Sequence, residues 1–388
     1  MHHKMGRFIF MVPLLLLPFL ASHAWCQEGQ WPFWQRYASG FIDQQGRVID
    51  RSEHDRTTSE SQAYGMFFAL VADDRPRFDA MLHWTSDNLA HSDLQHNLPA
   101  WKWGNAGDGK WQILDPNSAS DADLWMAYAL LQAGRLWHQD AYRDLGLSLL
   151  DQIATKEVTN LPGAGPMLLP GREGFHPKAD QWIINASYLP DPVLAAAENA
   201  RPKGPWKEIR HGLPALICQG SGGNFAMNWD TFTTGKGYAP AASPENPVNS
   251  PIFGSYDAIR VYLWTGLSQD KNREFRRILG CINGMATYLD QHTTPPEVVD
   301  STGKVLQPEG SIGFSAALLP YLQLQHRPTA FEAQRVRLET QKDEALGLYG
   351  KNPRYYDQNL ALFALGWSDH RLAFDTDGKL RVRWIHAN

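Results

Sequence analysis

Apolar residues along most of this chain return every three or four positions, the spacing of helices with one buried face. In SASDADLWMAYALLQAGRLW, residues 118–137, Leu124, Ala127, Leu130, Leu131 and Gly134 form such a stripe. The same period predicts helices starting near residues 30, 59, 76, 120, 141, 187, 206, 255, 271, 314, 330 and 355. Strand-like alternation is scarce. Loops containing Gly and Pro separate the helices, and those at 91–118, 157–186 and 220–254 are long. Ordered loops of that length usually carry function. Twelve successive helices predict six helical hairpins. The expected fold class is all-α, an (α/α)6 barrel with alternate helices in two concentric rings. A helical solenoid is the competing architecture.

The first residues break this pattern. Lys4 and Arg7 precede an apolar run from Phe8 to Ala21, and small Ser22 and Ala24 follow. This is the layout of a secretory signal peptide. The run is shorter than the ~20 residues of a membrane-spanning helix. Residues 1–24 are therefore expected to be a cleaved signal, with an uncleaved anchor as the competing reading. Residues 25–388 are expected to form one catalytic domain, periplasmic or secreted, with no membrane span after cleavage. Bulky Trp25 makes Cys26 a poor lipoprotein cysteine.

Removing Lys4 and Arg7 moves the formal charge from −5 to −7. A mildly acidic chain is not built to hold a polyanion, so nucleic acid is excluded as a partner. Cys218 and Cys281 could pair in an oxidising compartment, but the sequence leaves that open. The 15 Trp, 13 Tyr and 17 Phe residues exceed ordinary need. Most belong in a core. The surplus points to carbohydrate, because the apolar face of a pyranose stacks on a flat ring.

Three predicted helices begin with an acid. Glu60 lies in TTSESQAYGMFFAL, where Ser59 and Gln62 have capping-box spacing. Asp121 follows Ser120 in the stripe quoted above, and Asp257 follows Ser255 in GSYDAIRVYLW. Acids and serines at a helix start are ordinary capping chemistry, favoured by the macrodipole. That reading covers any one of the three, and it covers Asp123 as well. These helices, however, are the second, fourth and eighth. In a two-ring barrel, even helices share a ring and a direction. Their N-termini would gather at one end and bring Glu60, Asp121 and Asp257 to one cleft.

Arg260, three residues after Asp257, shares its helix face and could orient that carboxylate or bind a sugar hydroxyl. Trp101 and Trp103 flank Lys102 in LPAWKWG and should point opposite ways, one into the cleft and one into packing. Tyr188 in NASYLP and Tyr256 beside Asp257 are further candidates. GNAGDGKW at 104–111 has the glycine and lysine spacing of a phosphate-binding loop, but Trp111 stands where Ser or Thr is needed. No metal-ligand spacing, CxxC or G-x-S-x-G motif is present.

The segment ASDADLWMAYALLQAGRLW resembles the signature of glycoside hydrolase family 8 through Ala119, Ser120, Asp121, Asp123, Met126, Ala127, Ala133 and Trp137. The likeness spans about residues 30–385. GRVID, LPAWKWG, SYDAIRVYLW and GFSAALLP resemble the subgroup of periplasmic endo-β-1,4-glucanases encoded with bacterial cellulose synthase. The resemblance implies an (α/α)6 barrel with a sugar groove across the inner-helix N-termini, and hydrolysis with inversion. It assigns Glu60 as general acid, Asp257 as general base and Asp121 as a sugar-binding residue. Tyr256 and Arg260 lie in the same motif, and Trp101, Trp103 and Tyr188 follow as binding residues.

The resemblance further implies cellulose as substrate, no metal or cofactor, and the cellulose synthase machinery as a candidate partner. Alternatives are xylan, mixed-linkage β-glucan or chitosan as substrate, a non-catalytic cellulose-guiding protein, or a polysaccharide lyase. Ser61 and Ala63 depart from the subgroup's usual glycine and serine, which raises the question of crowding beside the acid.

Overall fold

A computed structural model describes residues 31–107, 109–245, 251–269 and 272–387. The expected signal peptide lies outside the described residues. Thirteen helices are described: α1 (Pro32–Phe41), α2 (Ser59–Val71), α3 (Arg75–Leu89), α4 (Ser120–Leu136), α5 (Asp140–Lys156), α6 (Asp191–Ala200), α7 (Trp206–Gly220), α8 (Ala258–Leu267), α9 (Arg273–Cys281), α10 (Gly284–Leu289), α11 (Ile312–Leu324), α12 (Pro328–Thr340) and α13 (Tyr355–Ser368). The helix expected near 187 is a short 3-10 turn, Ala186–Tyr188, and α6 starts only at Asp191. Pro190 and Pro192 set that later start, since proline is tolerated only at the first helical turn. Six-residue α10 is not expected from the periodicity.

Burial sorts the helices into two rings. Every residue of α2 except Glu60 is buried, as is every residue of α8. Such helices are apolar all round and belong inside a large protein. By contrast, α3 buries only Phe78, Met81, Trp84, Thr85 and Leu89, and α12 only Ala330, Gln334 and Leu338. These are single faces of outer helices. The inner helices α2, α4, α6, α8, α11 and α13 pack in sequence. Phe363 of α13 then meets Tyr64, Phe67 and Phe68 of α2, which closes the ring. Closure makes this a barrel rather than an open solenoid. Close crossing at one seam demands glycine, because a Cβ at Gly266 of α8 would fall 2.3 Å from the Tyr321 nitrogen of α11.

The long loops are not structureless, and here the expectation of few strands needs correction. Loop 91–118 holds β2 (Lys102–Asn105) and β3 (Trp111–Asp115), which extend β1 (Thr57–Thr58) into an antiparallel sheet. Loop 157–186 holds β4 (Val158–Leu161), β5 (Gly165–Leu168) and β6 (Gln181–Ile184). Loop 220–254 supplies β7 (Trp229–Thr233), β8 (Gly237–Ala241) and β9 (Phe253–Gly254). Strands β6, β7 and β8 pair in that order, and β9 joins β10 (Val298–Asp300) and β11 (Val305–Gln307). A two- to five-residue strand shows one or two apolar positions per face, too few to register as alternation. No helix among the described residues is long and apolar enough to cross a membrane.

Cys218 of α7 and Cys281 of α9 form a disulfide across a sequence separation of 63 residues, which answers the question of pairing. The link restricts the unfolded chain and should contribute about 2–4 kcal/mol. Reduction, or Cys218→Ser with Cys281→Ser, is expected to lower the denaturant midpoint and, because the freed unfolded chain exposes more surface, to steepen the slope. An unchanged midpoint would mean that the link contributes nothing.

Candidate active site

The three acids stand where the ring directions bring them together. Glu60 is in the first turn of α2, Asp121 in the first turn of α4, and Asp257 is the N-cap of α8. All reach one guanidinium. Arg260 Nη1 lies 3.3 Å from Glu60 Oε2, and Nη2 lies 3.6 Å from Asp121 Oδ2 and 2.9 Å from Asp257 Oδ1. Arg260 is 4 % exposed and also donates to Tyr356 Oη and Ser187 Oγ, each at 3.0 Å. The Glu60 and Asp257 side chains are 18 % and 27 % exposed, while Asp121 is buried. They open on a cleft of about 560 Å³ that Trp101, Tyr188, Tyr256 and Tyr356 also line.

Capping is done by other groups than the sequence suggested. The box at α2 pairs Thr58 with Ser61 rather than Ser59 with Gln62. Thr58 Oγ1 accepts from Ser61 N at 3.1 Å, and Ser61 Oγ accepts from Thr58 N at 3.2 Å. Gln62 instead ties Val48 N to Gly46 O, Met81 O and Thr85 inside the protein. Ser61 therefore points back to the helix start, and Ala63 is buried in the core. Neither lines the cleft, so neither crowds it. At α4 the N-cap is Ala119, with no side-chain cap, and the expected serines do not serve. Asp121 Oδ1 accepts from Ala122 N at 2.8 Å. At α8, Asn228 Oδ1 accepts from Ser255 N (2.7 Å) and Ala258 N (3.0 Å). Asn228 does the capping and leaves the Asp257 carboxylate free for the cleft.

Burial and charge set these acids apart from ordinary carboxyls. Burial pushes Glu60 up to about 8; Arg260 opposes this, and the Asp121 and Asp257 charges add to it. Burial also raises Asp121, against the pull of Arg260 and the Ala122 N–H. Asp257 is raised by burial and held back by Arg260, through both charge and hydrogen bond, and by Asn185. Losing hydration disfavours any buried charge, and a nearby cation restores it in part. One carboxyl here keeps its proton near neutrality, and the one bonded closest to Arg260 is helped to ionise. Among the described residues, no group of three or more His, Cys, Asp or Glu side chains is placed to hold a metal ion.

The profile of glycosyl hydrolases family 8 matches residues 7–370. The chain belongs to that family. An endoglucanase of Escherichia coli (strain K12) is 42 % identical over 376 residues, covering 96 % of this chain and 96 % of its own. One from Xanthomonas axonopodis pv. citri (strain 306) is 42 % identical over 370 residues, 95 % and 93 % of the two chains. The crystal structure of an endo-1,4-D-glucanase from Vibrio fischeri ES114 superposes with a TM-score of 0.80 at 33 % identity, covering 92 % of this chain and 100 % of that one. The protein is thus an enzyme, a family 8 glycosyl hydrolase with curated relatives named endoglucanase.

Of the sequence-predicted residues, Glu60, Asp121, Asp257, Arg260, Trp101, Tyr188 and Tyr256 line this family 8 cleft. Trp103 does not. Its ring stacks on Trp111 at 5.2 Å, meets Trp84 edge-on at 5.3 Å and lies 4.6 Å from the Arg47 guanidinium. The pair flanking Lys102 does split, and Trp103 is the packing member. Sequence reasoning misses Tyr356, Ser187 and Asn228. Tyr356 has a findable signal, since it stands at the entrance of α13, the sixth inner helix. Ser187 is held by the Trp264 indole, which donates to its carbonyl at 2.9 Å, a link no local pattern reveals.

Proposed function

We propose that this family 8 enzyme is an endo-acting β-1,4-glucanase that hydrolyses cellulose with inversion at the anomeric carbon. The observation that carries the reading is Arg260 binding three carboxyls of unequal proton affinity in one open cleft. Glu60, raised to about 8, protonates the leaving glycosidic oxygen. Asp257, on the other arm of the guanidinium, takes a proton from the water that attacks the sugar. Inversion needs the two carboxyls roughly 6.5–9.5 Å apart, with a water between. The shared guanidinium keeps Glu60 and Asp257 in one cleft, close enough to act on one glycosidic bond. Asp121 binds the sugar between them, and Trp101, Tyr188 and Tyr256 offer ring faces along the cleft.

The reading extends to place. A disulfide fits an oxidising compartment, which supports a periplasmic or secreted enzyme after removal of residues 1–24. The likeness to the synthase-linked subgroup supports a task in trimming nascent cellulose beside the synthase machinery. Incubation with carboxymethylcellulose, mixed-linkage glucan, xylan and chitosan tests the substrate. Fastest release of reducing ends is expected from carboxymethylcellulose, and preference for xylan or chitosan would overturn that assignment.

Asp121 also bears on pH. Its charge raises Glu60, so Asp121→Asn is expected to move the basic limb of kcat/KM to lower pH. The sign is fixed, because a less basic acid loses its proton sooner as pH rises. A basic limb that stays in place, measured on a soluble cello-oligosaccharide, would show that Asp121 does not tune the acid.

A further inference from the structure

Two buried carboxyl groups take no part in that chemistry. Asp123 reads from its position as a simple cap, yet it is 0 % exposed and caps nothing. Glu157, the C-cap of α5, is 1 % exposed. The two carboxyls lie within hydrogen-bonding reach of each other. Ser118 Oγ donates to Glu157 Oε1. Both Asp123 oxygens and Glu157 Oε2 meet no other protein donor. Two adjacent carboxylates would repel and leave these oxygens without partners, a large cost at full burial. One proton between them would remove the repulsion and pair an oxygen of Asp123 with one of Glu157.

Neighbouring cations are turned elsewhere. The Arg172 guanidinium donates to Pro116 O at 2.8 Å, and Lys156 Nζ to His96 O and Gln152 Oε1 at 2.8 and 2.7 Å. Asp121 faces the pair from α4 and adds negative charge. Around the pair three segments meet. Ser120 N donates to Pro170 O, Leu169 N to Glu157 O, and Arg172 N to Ser118 Oγ. The carboxyls therefore sit at the joint that fixes the entrance of α4, and Asp123 is two residues from Asp121.

We propose that Asp123 and Glu157 share one proton that clamps the entrance of α4, which makes both positioning residues for Asp121, and that loss of this proton in alkaline medium loosens sugar binding. The step is simple acid–base chemistry: hydroxide takes the shared proton to form water, and two neighbouring carboxylates remain. Burial pushes Glu157 up to about 7 and Asp123 well above its ordinary range. The pair titrates as a unit. Because the folded form holds the proton more tightly than the unfolded chain, its contribution to stability falls as pH rises from the ordinary carboxyl range through the folded value.

The binding half of this inference rests on Asp121 as a sugar-binding residue; the stability half does not. The full-length protein, Glu157→Gln and Asp123→Asn should be compared from pH 5.5 to 9 by thermal unfolding and by KM for cellopentaose. The amide that either substitution introduces donates a hydrogen at every pH. The Tm difference between wild type and either variant is therefore expected to move by about 3 °C in the variant's favour across that range. The wild-type KM should rise several-fold toward pH 9, and that rise should vanish in the variants. A Tm difference constant with pH would reduce the pair to packing and overturn the shared proton. A shifting Tm difference with a flat wild-type KM would overturn the positioning role alone. Two variants guard against one failing to fold.

Discussion

Glu60→Gln is expected to lower kcat on cello-oligosaccharides by about 10²–10⁴-fold, the usual contribution of a general acid. The protein should stay folded, because a half-buried amide replaces a carboxyl that already favours its neutral form. It should also gain stability relative to wild type as pH rises. Wild-type Glu60 holds a proton up to about 8, so folding binds a proton that the unfolded chain releases, and stability falls over that range. The amide removes this dependence. The loss of activity should depend on the leaving group. An aryl cellobioside whose phenolate departs unaided needs no acid, and Glu60→Gln should cleave it at close to the wild-type rate. Equal loss on both substrates would remove Glu60 from the acid's role.

Asp257→Asn should cause a comparable loss with a different signature. The attacking water needs its base whatever the leaving group, so its loss slows both the cello-oligosaccharide and the aryl cellobioside. The Asn oxygen can still accept from Arg260 Nη2, and Asn228 continues to cap α8, so geometry and folding should persist. Removing the Asp257 charge also takes away one of the influences that raise Glu60, and the residual basic limb should move to lower pH. Circular dichroism and unfolding curves check the fold, and rates on the two substrates check the role. Near-normal rates on either substrate would contradict the assignment of Asp257.

Much of this arrangement is legible from period and direction alone. The start of each inner helix except the one near 187 agrees with the apolar pattern to within a few residues. Counting even helices is enough to place Glu60, Asp121 and Asp257 at one end. What the chain does not reveal is what each polar group bonds to. Asn228 precedes Asp257 by a long stretch of chain and caps its helix from another segment, 30 residues from Ala258. Ser187 and Tyr356 reach Arg260 across 73 and 96 residues. Asp123 looks like a cap by position, but its partner Glu157 is supplied by the end of the next helix. Trp101 and Trp103 can be told apart only as opposite in direction, because nothing local says which side faces the cleft. Short strands escape for a similar reason, since their pairing partners, not their own residues, define them.

The central claim is that Glu60 and Asp257 act on opposite sides of one glycosidic bond, with a water between them. Proton NMR of cellopentaose during the first turnovers tests it most directly, read before mutarotation blurs the new reducing end. The account predicts α-anomer first, converting slowly to the β-form. Initial β-anomer would contradict it and would require a covalent sugar–enzyme intermediate in this cleft.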